Sequence, residues 1–133
     1  MANVASMIEH LGKKMGITLS LDRGVCAIFD RDRELVVIEI APSSDLVILH
    51  RVMAMQHEGN RSYEHLLKLN FDITALAGCW LALDSSSQAR LCAQLPMLLL
   101  DEVYFSQWVE GFVNLCSQVE TLLGAAPHIP RTA

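Results

Sequence analysis

The sequence predicts an α+β domain, an antiparallel and strongly twisted sheet of about five to six strands with three helices in the order α-β-β-β-β-α-β-β-α. Three observations predict it. Apolar residues recur at helical spacing near both ends of the chain, over residues 4–15 and 105–123. Between these stretches lie short β-prone runs divided by clusters of turn residues. At 133 residues, 52% of them hydrophobic, the chain has enough apolar material for one continuous core, so residues 1–124 are read as a single domain.

Val4, Met7, Ile8, Leu11 and Met15 lie on one face of the first helix, which Gly12 loosens and Gly16 ends. Residues 17–21 alternate apolar side chains with Thr18 and Ser20. Asp22-Arg23-Gly24 is a turn signal, and residues 25–29 are β-prone again, so the pair reads as a hairpin. The charged turn Asp30-Arg31-Asp32-Arg33 leads to a third strand over residues 34–41, and a second turn to a fourth over residues 46–53. On the third strand Val36, Ile38 and Ile40 share one face while Leu35 and Val37 precede Glu39 on the other. Both faces therefore need cover over part of its length.

A polar segment over residues 56–62 precedes Tyr63, Leu66, Leu67, Asn70 and Phe71, whose spacing predicts a short second helix. Gly78 restarts β structure, with strands over residues 79–83 and 89–95 joined by a polar link. Asp101 is a good N-cap for the last helix, where Phe105, Trp108, Val109, Phe112, Val113, Cys116, Val119, Leu122 and Leu123 trace a wide apolar stripe up to Gly124. Residues 125–133, with Pro127 and Pro130, carry no periodic pattern and are expected to be a disordered tail.

Composition excludes several functions. A net charge of -5, with ten scattered Lys and Arg, is the wrong balance for neutralising phosphates, so nucleic acid is not expected as a partner. Residues 1–15 mix Glu9, His10 and Lys13 into a helical pattern unlike a secretory signal, and residues 95–100, the longest apolar run, fall far short of the roughly 20 residues of a membrane span. The chain is expected to stay in the cytoplasm without membrane insertion. Cys26, Cys79, Cys92 and Cys116 are far apart in apolar stretches, which suits reduced, buried thiols.

Catalytic patterns fail on spacing. His57-Glu58-Gly59-Asn60-Arg61 begins like a zinc-hydrolase helix but places Arg where the second His is needed. No two cysteines stand at zinc-binding spacing, and no glycine-rich phosphate loop follows a strand. Ser85, Ser86 and Ser87 lack the glycine-flanked elbow of a nucleophile, and Asp30 and Asp32 alternate with arginines as a solvated turn does. His10, His50 and His65 are too scattered to suggest a site. No enzyme, metal or cofactor is expected.

The local wording then carries a resemblance. Leu66-Leu67-Lys68-Leu69-Asn70-Phe71, Gly78-Cys79-Trp80-Leu81-Ala82-Leu83-Asp84, Arg90-Leu91-Cys92 and the start of the last helix from Leu100-Asp101 to Phe105 resemble the CesT/SycE-like class I chaperones of type III secretion, from Met7 to Leu123. Gly24-Val25-Cys26-Ala27, Ser44-Asp45, Gly78 to Asp84 and Asp101-Glu102 look closest to the DspF/AvrF type within that family.

The resemblance implies a homodimer in the bacterial cytoplasm that binds the N-terminal region of a cognate effector and keeps it unfolded and secretion-competent. An AvrE/DspE-like effector is the implied client, and the secretion ATPase is a further candidate partner. It implies a dimer interface at Tyr63, Leu66, Leu67, Phe71, Trp80 and Leu81. It also implies an effector-binding surface at Ile8, Leu11, Leu19, Leu21, Val25, Ala27, Phe29, Val36 and Ile38. A regulatory partner of the same fold, sequestering a secretion-linked activator or anti-activator, is the alternative. The physical logic is strand addition, in which an extended client hydrogen-bonds along a sheet edge while alternate side chains fill apolar pockets. Met7, Met15, Met53, Met55 and Met97 add adaptable side chains to that surface.

Overall fold

The computed structural model describes residues 3–41, 43–55 and 60–124. The expected tail and His57-Glu58 lie outside the described residues. The elements are α1 (Val4–Met15), β1 (Val25–Asp30), β2 (Arg33–Ile40), β3 (Leu46–Val52), α2 (Asn60–Asn70), α3 (Ile73–Leu76), β4 (Trp80–Leu83), β5 (Ala89–Pro96), a 3₁₀ turn (Met97–Leu99) and α4 (Glu102–Leu122).

Asn3 caps α1 by accepting the Ser6 N–H at 2.8 Å, and Gly16 ends it in the left-handed conformation at φ 74°. The expected hairpin between residues 17–21 and β1 does not form. Instead the chain folds back against the end of α1, where the Ile17 N–H donates to the Gly12 carbonyl at 2.9 Å. A Cβ on Gly12 would stand 2.7 Å from the Ile17 oxygen, so only glycine permits this approach. Residues 17–21 are thus an extended strap. Its alternate residues Leu19 and Leu21 pack against the core, the strap lines a crevice with Ala5, Glu9 and Lys13 of α1, and the Asp22–Val25 bridge follows it.

The remaining strands form a five-stranded, wholly antiparallel sheet in the order β1-β2-β3-β5-β4. Cys26, Ile28, Val36, Ile38, Val47, Leu49, Leu91, Ala93 and Leu81 face the core. Between Ile28 and Phe29 the register slips, because Ile28 pairs with Val36 but Phe29 pairs with Glu34. Leu35 is the extra residue. The bulge turns Leu35 towards the helices and carries Glu34 to the opposite face, where it joins a polar cluster.

Helix α4 starts at Asp101, whose carboxylate accepts the Tyr104 N–H at 2.7 Å. It packs beside α1, with Phe105, Val109, Phe112, Cys116 and Val119 in the core. Near its end Glu120 is buried with Arg51, which is 2% exposed. Glu120 Oε1 accepts from Arg33 at 2.5 Å and Arg51 at 2.6 Å, and its Oε2 accepts the Ala54 N–H at 2.8 Å. One carboxylate thus ties the end of α4 to β2, β3 and the segment after β3, and its own desolvation is compensated. The short α3, absent from the sequence reading, begins at Asp72, which caps the Ala75 N–H at 3.1 Å.

Candidate peptide-binding site

The two margins of the sheet differ. On β1 the Gly24 carbonyl accepts from Ile40, so alternation turns the backbone groups of Val25, Ala27 and Phe29 away from β2. Asp22 takes both outward groups of Val25, at 2.8 and 3.0 Å. Beyond it the outward N–H and C=O of Ala27 and Phe29 form an unpaired margin among the described residues. Phe29 beside it is 55% exposed, and Ala27 is exposed.

On β4 the outward groups of Leu81 are taken, while those of Leu83 have no partner among the described residues. The Asn70 side-chain amide donates to the Leu81 carbonyl at 3.0 Å and accepts the Leu81 N–H at 2.7 Å, while the Cys79 N–H donates to Leu76 at 2.9 Å. Around the β4 margin lies exposed apolar surface: Leu67 is 72% exposed, Phe71 88% and Ile73 74%, with Trp80 and Leu83 beside them.

The longer helices pack on the core face of the sheet. On the other face one row crosses all five strands, Ala27, Val37, His50, Cys92 and Trp80. Beside it Arg90 is held by Asp84 at 2.8 Å and by Glu34 at 2.9 Å, and Glu34 also accepts the Val52 N–H at 3.0 Å. Arg90 donates to His50 Nδ1 at 3.0 Å, which places the imidazole proton on Nε2, 3.2 Å from Glu39. The hydrogen bond from Arg90 holds the Asp84 carboxyl below its usual range. Burial lowers the Arg90 pKa, but Asp84 and Glu34 outweigh it and leave the net value raised. The face is apolar towards β1 and ionic at its centre.

All four cysteines are free thiols. Burial raises the pKa of Cys26, Cys79 and Cys92, and pushes Cys116 up to about 12. They are therefore protonated at neutral pH and poor nucleophiles. No helix among the described residues is long and apolar enough to cross a membrane.

The residues expected to bind a client divide. Ala27 and Phe29 lie on the unpaired margin, and Val25, Leu19 and Leu21 are half-buried next to it. Ile8, Leu11, Val36 and Ile38 are instead interior, at most 5% exposed, because α1 and the core face of β2 are closed by α4. Among the expected dimer residues Leu67, Phe71 and Trp80 are exposed and Tyr63 is half-buried, whereas Leu66 and Leu81 belong to the core. The sequence reading missed Ile73 and Leu83, which extend the same patch, and the Glu34–Arg90–His50 cluster, whose partners lie far apart in the chain.

The fold and these margins define a small α+β module built to display strand edge and apolar surface. The chain belongs to the Tir chaperone protein (CesT) family, whose profile matches residues 6–120. No curated protein sequence matches it significantly. Among solved structures it is similar to the ExsC–ExsE complex, with a TM-score of 0.75 at 17% identity over 90% of this chain and 92% of that one. It also resembles the Yersinia pestis type III secretion chaperone SycH in complex with a stable fragment of YscM2, at a TM-score of 0.61 and 15% identity, covering 91% of this chain and 99% of that one. The HopA1–SchA chaperone–effector complex gives 0.59 and 17%, covering 82% and 91%.

Proposed function

We propose that this chain is a type III secretion effector chaperone that binds the N-terminal region of a cognate effector, keeping it extended, unfolded and competent for export. The observation that carries this reading is the unpaired β1 margin at Ala27 and Phe29, beside exposed apolar surface, in a chain of the CesT family. Structures of similar fold include HopA1–SchA and SycH with a fragment of YscM2, both chaperone complexes. Ordering a client costs roughly 1–2 kcal/mol per residue, and apolar burial returns about 25 cal/mol per Å². Margin hydrogen bonds alone cannot offset that cost, so the apolar residues flanking the margin are needed as well.

The working unit is a homodimer joined through Leu67, Phe71 and Trp80, with Ile73 and Leu83 completing the contact. This reading is supported by the size and exposure of the apolar side chains around the β4 margin. The dimer works in the bacterial cytoplasm, without catalysis, on an AvrE/DspE-like effector, and hands it to the secretion ATPase.

Co-expression with the effectors exported by the type III system of the same bacterium tests the reading. A stable complex with the N-terminal segment of one of them, and loss of its secretion on deletion of the chaperone gene, are expected. Intact secretion with altered transcription would instead favour the regulatory partner.

A further inference from the structure

Residues 22–25 form a turn whose two central residues, Arg23 and Gly24, both have positive φ, at 52° and 78°. Two successive residues in the left-handed region make the tight turn that joins hairpin strands. Its closing pair is present, since Asp22 and Val25 exchange both backbone hydrogen bonds at 2.8 and 3.0 Å. A hairpin is begun here and stops after one rung.

Counting back from Asp22 and forward from Val25, the next rungs would set Leu21 against Cys26, Ser20 against Ala27, Leu19 against Ile28 and Thr18 against Phe29. Ser20 and Thr18 thus fall opposite the two residues whose outward N–H and C=O groups lack a partner among the described residues, and in the hydrogen-bonded rungs. Leu21 and Leu19 fall opposite Cys26 and Ile28 on the core face, where both leucines already pack. The alternation of the strap is therefore in phase with β1, and completing the ladder would strip neither leucine from the core.

The strap is held lightly. Ile17 is fixed by the Gly12 carbonyl and Asp22 by Val25, but Thr18, Leu19 and Leu21 make no backbone hydrogen bond among the described residues. A crevice of about 570 Å³ lies between the strap and α1, so the helix packs against it only in part. Its path is also right for pairing, because Met15 at the end of α1 lines a crevice with Ile28. The strap starts near the Phe29 end of β1 and runs antiparallel to it.

We propose that in the free protein residues 17–21 exchange between this strap and a sixth strand paired to β1, and that a client reaches Ala27 and Phe29 only by displacing them. The proposal rests on the chaperone reading and adds to it a competitor built into the chain. An uncovered strand edge invites pairing with any extended chain, and a strand that lays Thr18 and Ser20 beside Phe29 covers it reversibly. Apparent client affinity is then the intrinsic affinity reduced by the open fraction, and the same fraction slows exchange of the Ala27 amide.

Ser20→Pro tests this, since it removes the strap N–H that the Ala27 carbonyl would accept yet suits an extended chain. In the full chain the variant should speed exchange of the Ala27 amide in the free protein by about threefold and tighten the complex with the N-terminal segment of a captured effector by the same factor. Unchanged exchange, or faster exchange without tighter binding, overturns the proposal. Wild-type protein supplies a second measurement that needs no variant. The α-hydrogens of Leu19 and Ile28 approach closely in a non-hydrogen-bonded rung, so a nuclear Overhauser contact between them is expected in the free protein and should vanish in the complex. Its absence from the free protein overturns the closure and leaves the chaperone reading standing. Its presence in a protein that holds no effector segment overturns that reading and the competitor role with it.

Discussion

Asn70 stands against Leu81 as a neighbouring strand would, donating to its carbonyl at 3.0 Å and accepting its N–H at 2.7 Å. One side chain at the end of α2 thereby takes both outward groups of Leu81 on the β4 margin. On the opposite margin the Asp22 backbone does the same for Val25, and Ala27 and Phe29 beyond it have no such partner among the described residues. In the proposed assembly the β1 margin takes the client and the exposed apolar surface beside β4 takes the second copy.

Replacing Asn70 with Ala should leave both Leu81 groups without a protein partner and destabilise the chain by about 1–3 kcal/mol. Asn70→Asp retains the acceptor for the N–H and should lose less. Urea denaturation of the two variants against wild type checks the order.

Leu67 is 72% exposed, so Leu67→Asp should leave the subunit folded. An unpaired charge inside the proposed contact should shift the dimer towards monomer. Sedimentation velocity over a concentration series measures this, with circular dichroism confirming the fold. An unchanged dimer would place the interface elsewhere.

Glu120 is the common acceptor for Arg33, Arg51 and Ala54. Glu120→Ala leaves Arg51 buried without its counter-charge and should cost about 3–5 kcal/mol, far more than truncating an exposed glutamate such as Glu110. Thermal or urea unfolding of the two variants gives the comparison.

Asp84 has its pKa lowered in the fold, chiefly by the hydrogen bond from Arg90. A carboxyl with a depressed folded pKa adds stability above its unfolded pKa, near 3.9, and that contribution fades as pH falls through the folded value. Asp84→Asn should therefore flatten the acid limb of stability below about pH 4. Urea midpoints across an acid pH series record it.

Much of this architecture was legible in the sequence, because long periodic stretches and turn clusters report burial directly. Both long helices, the charged hairpin turn before β2 and the β4–β5 pair follow the expected pattern. The strap over residues 17–21 was misread, since period-two alternation records a half-buried extended chain whether or not a ladder exists. What decided the matter was the close approach of Ile17 to Gly12, a tertiary contact. Ile8 and Val36 show a related limit: periodicity marks an apolar face without saying whether a helix of the same chain or another polypeptide covers it. The role of Asn70 depends on which atoms face it, and spacing carries no trace of that.

The central claim is that a client pairs with β1, so Ala27→Pro should weaken the complex. The substitution removes an outward N–H without breaking the β1–β2 ladder. The most direct measurement is amide hydrogen exchange at Ala27 and Phe29 in the free protein and in its complex with the N-terminal segment of an effector captured on co-expression. The account predicts fast exchange at both amides in the free protein and strong protection in the complex. A stable complex in which both amides exchange as fast as before would contradict it.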